Sequence, residues 1–172
     1  LVPIIAILIK LSSRGPVFFV QPRSGKNNQA FNCLKFRSLR VNNEAHEKQV
    51  TKDDNRITPI GRFLRKSNLD ELPQFFNVFM GDMSVVGPRP HMLKHTTDFT
   101  NIYKQYMIRH FIKPGLTGWA QVHGYRGEIK DHDFLIKRIE YDIWYMENWS
   151  IWLDMKIILM AVFKTIQGDK NA

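Results

Sequence analysis

The sequence predicts a mostly helical α/β domain, small and globular, with part of its apolar surface turned to a lipid interface. Three observations lead there. Two short β-like runs, "GPVFFVQPRSG" and "FNCLKFRSLRV", flank an "SGKNNQ" turn and read as a hairpin. Five later stretches carry apolar residues at helical spacing. Both ends of the chain are strongly apolar, "LVPIIAILIKL" at the start and "WSIWLDMKIILMAVFKTI" at the end.

The elements follow in order. The opening run covers residues 1–11, too short for a spanning helix, which needs about 20 residues. It lacks the charged start and cleavage site of a signal peptide. The chain opens on Leu1 without a methionine, so residues 1–11 read as the second half of a hydrophobic segment that continues upstream. Pro3 would then lie inside that segment and break it. In the second β-run, Phe31, Cys33 and Lys35 share one face and Leu34 and Phe36 the other. Residues 42–56 are polar without periodicity and read as a mobile loop or exposed helix. "ITPIGRFLRKSNLDELPQFFNVF" gives two helical pieces. In the second, Leu69, Leu72, Phe75, Phe76 and Phe79 form one face, and Asp70, Gln74 and Asn77 another. Ser67 and Asn68 are N-cap candidates with Asp70 and Glu71 three residues on, close to a capping box, and Gly81 ends the helix. That puts Asp70 and Glu71 in its first turn. "HTTDFTNIYKQYMIRHF" reads as one helix, and "IKPGLTGWAQVHGYRGE" as a glycine-punctuated loop around a short extended piece. Residues 131–147 show mixed helical periodicity. In the last helix Ile151, Met155, Ile158, Leu159, Val162 and Ile166 line one face. Trp144, Trp149 and Trp152 sit at or before its start, a composition suited to a membrane interface.

The chain of 172 residues is long enough for one domain with one core, and its net charge of +9 implies an anionic partner. One cysteine excludes an internal disulfide framework; Cys33 reads as a small buried apolar residue. A nucleic-acid-binding module would need exposed aromatics interleaved with a basic stripe, and none is found.

The chemistry concentrates in "LDELPQFFNVFMGDMSVVGPRP", residues 69–90. Asp70 and Glu71 are adjacent carboxylates, preceded by Arg62, Arg65 and Lys66. Carboxylates among cations suit a phosphate substrate with a divalent metal, because Mg²⁺ is typically held by one or two carboxylates plus phosphate oxygens. A carboxylate can also attack phosphorus and form an acyl phosphate. Arg89, between Pro88 and Pro90, is a preorganised guanidinium suited to phosphate or a uracil-type face. His91 and His95 have metal-ligand spacing but no third ligand. Asp82 reads as the cap of the "GDMS" turn, and His110 as structural.

These residues closely resemble the signature of the bacterial sugar transferase family, the monotopic phosphoglycosyl transferases. "GPVFFVQPRSG" with "LKFRSL", "KPGLTGWAQVHGYRGE" and "IEYDIWYMENWSIWLDMKIILMAVFKTI" are similar to further family segments in the same order. The resemblance runs over nearly the whole chain and is strongest to the undecaprenyl-phosphate glucose phosphotransferase branch. It implies a re-entrant membrane helix, with Pro3 at its break and Val2 where a serine would stand, and interfacial helices around a small α/β globule. It implies a single catalytic domain over 1–172, on the cytoplasmic face of the bacterial inner membrane. The implied reaction moves a sugar-1-phosphate, glucose or galactose, from a UDP-sugar to undecaprenyl phosphate with release of UMP. It would be the first membrane step of exopolysaccharide, capsule or O-antigen synthesis. Asp70 matches the nucleophile and Glu71 the residue that handles Mg²⁺. Lys35, Arg37 and Arg65 match phosphate-side positions, and Arg89 matches a nucleotide contact. Lys113 and Arg126 flank the glycine loop, and Asp142 matches a late carboxylate of the substrate site. Partners implied are the UDP-sugar, the lipid phosphate and membrane lipids, with no nucleic acid; a homo-oligomer stays open. A catalytically silent membrane scaffold is the remaining alternative, against which the intact Asp70–Glu71 pair and the arginines count.

Overall fold

The computed structural model describes residues 1–42, 50, 51, 54–127, 129 and 131–167. Most of the polar stretch 42–56, and Glu128 of the glycine loop, lie outside the described residues. The chain forms α1 (Val2–Ser12), β1 (Phe18–Ser24), β2 (Ala30–Phe36), α2 (Pro59–Lys66), α3 (Gln74–Met80), β3 (Ser84–Val86), α4 (Leu93–Ile102), β4 (Gly115–Thr117), α5 (Trp119–Val122), α6 (His132–Glu147) and α7 (Ile151–Gln167). Short 3₁₀ turns cover Leu69–Glu71 and Lys104–Phe111. It is helical for the most part, with two small two-stranded sheets.

β1 and β2 pair antiparallel from Phe18↔Phe36 to Ser24↔Ala30, as the hairpin reading requires. β3 and β4 pair parallel, Ser84 with Gly115 and Val86 with Thr117. That pairing demands glycine: a Cβ on Gly115 would lie 2.1 Å from the Gly87 nitrogen. The close approach brings the loop after β3 against the segment that leads into α5.

Three apolar cores hold the elements. Ile5 and Ile9 of α1 pack with Phe36 and Leu64. Val86, Val122, Tyr145 and Ile157 join β3, α5, α6 and α7. Phe99, Tyr106, Leu135 and Ile139 join α4, the following 3₁₀ turn and α6.

Several sequence expectations are corrected. Asp70 and Glu71 do not open α3; they occupy the 3₁₀ turn before it, and α3 begins after Pro73. Ser67 does not cap forward. Its hydroxyl donates back to Phe63 O at 2.8 Å, closing α2, while Asn68 turns left-handed at φ 56°. The capping box fails because α2 runs almost to the carboxylates, and a left-handed turn at Asn68 is what redirects the chain. Gly81, at φ 87°, does end α3. The segment expected as one helix at "HTTDFTNIYKQYMIRHF" breaks at the extended residue Tyr103. Pro3 lies in the first turn of α1, where its missing N–H costs nothing. Among the described residues no helix is long and apolar enough to cross a membrane.

α3 is oriented opposite to a soluble amphipathic helix. Gln74 and Asn77 are buried, while Phe75, Phe76, Phe79 and Met80 are exposed, Phe79 at 87%. Asn77 is the cause. Its Oδ1 accepts from Leu34 N at 2.9 Å and its Nδ2 donates to Asn32 O at 2.8 Å, so the side chain pairs with β2 as a strand would. α7 behaves alike: Ile157 is sealed, while Ile151, Trp152, Met155, Leu159, Val162 and Phe163 face outward. On α1, Ile4, Ile7, Leu8 and Leu11 do the same.

Candidate active site

Asp70 and Glu71 sit side by side on the 3₁₀ turn, and their surroundings differ sharply. Both Glu71 oxygens are taken by cations from three separate elements. Lys35 Nζ, from β2, donates to Oε1 at 2.7 Å. Arg89, from the loop after β3, donates through Nη2 to Oε1 at 2.7 Å and through Nη1 to Oε2 at 3.3 Å. Arg126, from the loop after α5, donates through Nη2 to Oε2 at 3.1 Å. Burial opposes the Glu71 charge, but Arg89, Lys35 and Arg126 outweigh it and hold the carboxyl well below the usual range. Three cations around one carboxylate leave positive charge in excess, and all four side chains keep some contact with solvent.

Asp70 is buried, and among the described residues its carboxylate accepts no hydrogen bond. Burial pushes its pKa up, Lys35 pulls it down, and the neighbouring Glu71 charge pushes it up again. Such a carboxylate carries unsatisfied lone pairs, the condition for a nucleophile or a metal ligand.

Beside the cluster lies a cavity of about 220 Å³. Glu71, Gln121, Thr117 and Arg126 line its polar side, and Leu72, Phe75, Leu116, Val122 and Ala161 its apolar side, with Lys164 of α7 on the wall. Asp70 is not part of that wall.

Arg89 is fixed more thoroughly than its flanking prolines alone would do. Pro88 O accepts from Gly115 N at 2.9 Å, and Arg89 O from Arg109 Nη2 at 2.7 Å. Pro90 O accepts from Arg23 Nη1 at 3.0 Å and His91 O from Ser24 N at 3.0 Å. Four consecutive carbonyls are thus anchored, and the side chain that leaves this segment is preorganised.

The sequence candidates separate into two groups. Lys35, Glu71, Arg89 and Arg126 converge, with Asp70 next to them. Arg65, in the last turn of α2, contributes charge to Asp70 without a hydrogen bond. Arg37 is elsewhere: it is buried and donates to Ser13 O and Arg14 O at 2.7 and 2.8 Å, holding the end of α1. Lys113 is exposed, with its ammonium beside Gly81. Asp142 is buried in an ion pair with Arg109 at 2.8 Å, apart from the Glu71 cluster. The His91 ring is buried and stacks on Tyr106, and the His95 ring packs at a tilt against Phe99. Asp82 accepts from Asn77 Nδ2 at 3.2 Å.

The sequence reading missed Arg109, Arg138, Gln121 and Asn77. For Arg138 a signal existed. It lies four residues before Asp142 on α6, within the stripe Leu135, Ile139 and Tyr145, and charged residues within a buried stripe have to be paired.

Fold and site together define a protein that offers a cation-ringed carboxylate pair to an anionic ligand, at the border of an outward-facing apolar surface. The chain belongs to the bacterial sugar transferase family, whose sequence model matches residues 1–168. It is 50% identical over 98% of its length to the UDP-glucose:undecaprenyl-phosphate glucose-1-phosphate transferase of Xanthomonas campestris pv. campestris. It is 51% identical over 94% to the protein of that name from Klebsiella pneumoniae. It is 48% identical over 94% to the UDP-N-acetylgalactosamine-undecaprenyl-phosphate N-acetylgalactosaminephosphotransferase of Aeromonas hydrophila. The matches cover 35%, 35% and 37% of those proteins, so the chain spans about a third of the length of these relatives.

Proposed function

We propose that the chain carries the catalytic site of a polyprenyl-phosphate sugar-1-phosphate transferase acting in exopolysaccharide, capsule or O-antigen synthesis. The donor is a UDP-sugar, glucose or galactose, and the acceptor is undecaprenyl phosphate; the relatives' names favour glucose. The observation that carries this reading is Glu71 clamped by Lys35, Arg89 and Arg126 beside a buried carboxylate, Asp70, that accepts no hydrogen bond from the described residues.

The chemistry follows from that asymmetry. The cations bind the diphosphate through charge-assisted hydrogen bonds. An Asp70 oxygen attacks the phosphorus that bears the sugar. The bond from that phosphorus to the bridging oxygen breaks, and UMP departs with the oxygen. An oxygen of the lipid phosphate then attacks the same phosphorus, forming the diphosphate-linked product and freeing the Asp70 carboxylate. Asp70 must be ionised to act, and Lys35 and Arg65 favour that form against burial. The donor chemistry also fits Mg²⁺, which takes hard oxygen ligands. Among the described residues no three metal-binding side chains lie together, so Glu71 would hold the ion only by giving up one of its cations to the phosphate, with phosphate oxygens completing the set. When bound, the ion neutralises the diphosphate and the leaving UMP. The outward apolar faces of α1, α3 and α7 support a membrane-interfacial placement, which suits a lipid acceptor.

UMP release from UDP-glucose and UDP-galactose, with undecaprenyl phosphate and Mg²⁺ in detergent, tests the reading. Release that requires Asp70 supports it. Release equal to that of Asp70→Asn, or none with any UDP-sugar, overturns it. Exchange of labelled UMP into the UDP-sugar without lipid isolates the first step.

A further inference from the structure

A second charged layer lies behind the clamp. Arg109 donates to Asp142 Oδ2 through Nε at 3.0 Å and Nη2 at 2.8 Å. The same Nη2 also reaches Arg89 O at 2.7 Å. Arg138, on α6, donates through Nη2 to Arg126 O and Gly127 O, both at 2.8 Å. So each of the two arginines facing Glu71 has its own backbone carbonyl held by a buried arginine. His91 stands between the two holders. Its Nδ1 lies 2.9 Å from the Tyr106 hydroxyl and 3.1 Å from Arg109 Nη1, and its Nε2 lies 3.3 Å from Arg138 Nη1. Burial first, then Arg109 and Arg138, drive its pKa well below the usual value, so the ring is neutral. A neutral ring accepts at one nitrogen only. The two shorter contacts assign that role to Nδ1, leaving Nε2 to space Arg138 rather than bind it.

We infer that Arg109 and Arg138 are positioning residues that set the separation and aim of Arg89 and Arg126, with Asp142 and His91 anchoring Arg109 and the His91 ring spacing Arg138 from it. The inference rests on the proposed function only for its kinetic arm. Stability alone does not explain Arg138. Among the described residues it has no carboxylate partner, its Nε is buried without a hydrogen-bond partner, and burial together with Arg109 lowers its pKa to about 9. Apolar side chains of similar volume usually serve a core as well as or better than a buried charge. What an apolar residue cannot do is hold the Arg126 and Gly127 carbonyls with one rigid fork.

The test uses the full chain in detergent. Arg138→Lys keeps the charge but loses the fork; Tyr145→Phe instead removes a buried hydroxyl that donates to Asp154 Oδ1 at 2.7 Å, with no contact to Glu71 or its cations. The readouts are KM and kcat for UDP-glucose, thermal unfolding, and the guanidinium Nε–H NMR signals of Arg89 and Arg126. Arg138→Lys is expected to raise KM about tenfold with kcat within about twofold, the signature of weakened binding. It should also broaden the Arg126 signal. Tyr145→Phe should lower the unfolding temperature and leave KM and both signals in place. Unchanged KM and an unchanged Arg126 signal in Arg138→Lys overturn the inference, as does an equal KM rise in Tyr145→Phe. If Arg138→Lys does not fold, Arg138→Gln, which keeps one amide donor, replaces it. Failure of both to fold marks Arg138 as purely structural and overturns the inference. If the unmodified chain releases no UMP from any UDP-sugar, the proposed function falls and the NMR signals alone decide the inference.

Discussion

Two of the carboxylate–arginine centres among the described residues, at Asp142 and at Glu71, are joined through the hydrogen bond from Arg109 to the Arg89 carbonyl, and they are built for opposite purposes. At Asp142 the ion pair is sealed: Asp142 and Arg109 are 3% and 2% exposed, and every Arg109 nitrogen has a partner. At Glu71 the anion is outnumbered, its three cations are 18–24% exposed, and a cavity adjoins them. The sealed centre has nothing left to offer a ligand, so its charge serves geometry. The open centre gathers three cations around one anion within reach of water, so it can receive an anionic ligand. Similar residue types thus give scaffold in one place and binding site in the other, and the difference is stoichiometry and access to water.

The comparison can be broken most forcefully at the sealed centre. Asp142→Asn leaves Arg109 buried without a counter-charge and should destabilise by about 3–5 kcal/mol. That corresponds to a drop on the order of 10 °C in unfolding temperature, measurable by scanning calorimetry. Glu71→Gln should cost less, about 1–2 kcal/mol, because water reaches its cations once the charge is gone. UMP release should nevertheless fall about 100-fold or more in that variant, since the cations lose their organising anion. Because Glu71 has a depressed pKa in the folded state, its stabilisation is present above the unfolded value of about 4.3 and is lost only as pH falls through the folded one. An acid titration followed by circular dichroism should therefore show wild type resisting lower pH than Glu71→Gln.

Asp70 should show the reverse sign. Its pKa is raised, so its ionised form costs stability at neutral pH, and that cost disappears below the unfolded value of about 3.9. Asp70→Asn should raise stability at pH 7 by about 1 kcal/mol while abolishing UMP exchange. In the wild type the acid limb of kcat/KM should lie above an ordinary aspartate. The smallest effect expected is from salt. Raising ionic strength from about 0.05 to 0.5 M should increase KM for the UDP-sugar a few-fold through the open centre. The stability difference between wild type and Asp142→Asn should not change, since the sealed pair is shielded from counterions.

Much of this was legible in the chain. The hairpin was marked by two β-runs around "SGKNNQ", the stop of α3 by Gly81, and the acidic pair with Arg89 and Arg126 by residue type within distinctive motifs. The outward face of α7 could be read from apolar periodicity combined with tryptophan and lysine, whereas for α1 only the apolar composition was visible. The faces of α3 could not. Phe75, Phe76 and Phe79 have core composition, and only the pairing of Asn77 with the β2 backbone reveals that the polar side is the inner one. Arg37 and Asp142, placed at the substrate by resemblance of position, stand apart from the Glu71 cluster, Arg37 against the end of α1 and Asp142 against Arg109.

The sequence by itself determined the local events: where α3 stops and where the hairpin turns. These depend on backbone conformation and side-chain type within a few residues. Tertiary structure alone decided which carboxylate is open and which is sealed. That choice depends on which cations arrive from elsewhere in the chain: Lys35 lies 36 residues from Glu71, Arg126 lies 55 residues away, and Arg109 lies 33 residues from Asp142. Burial and charge balance are set by such long-range convergence, and no local window of sequence contains them.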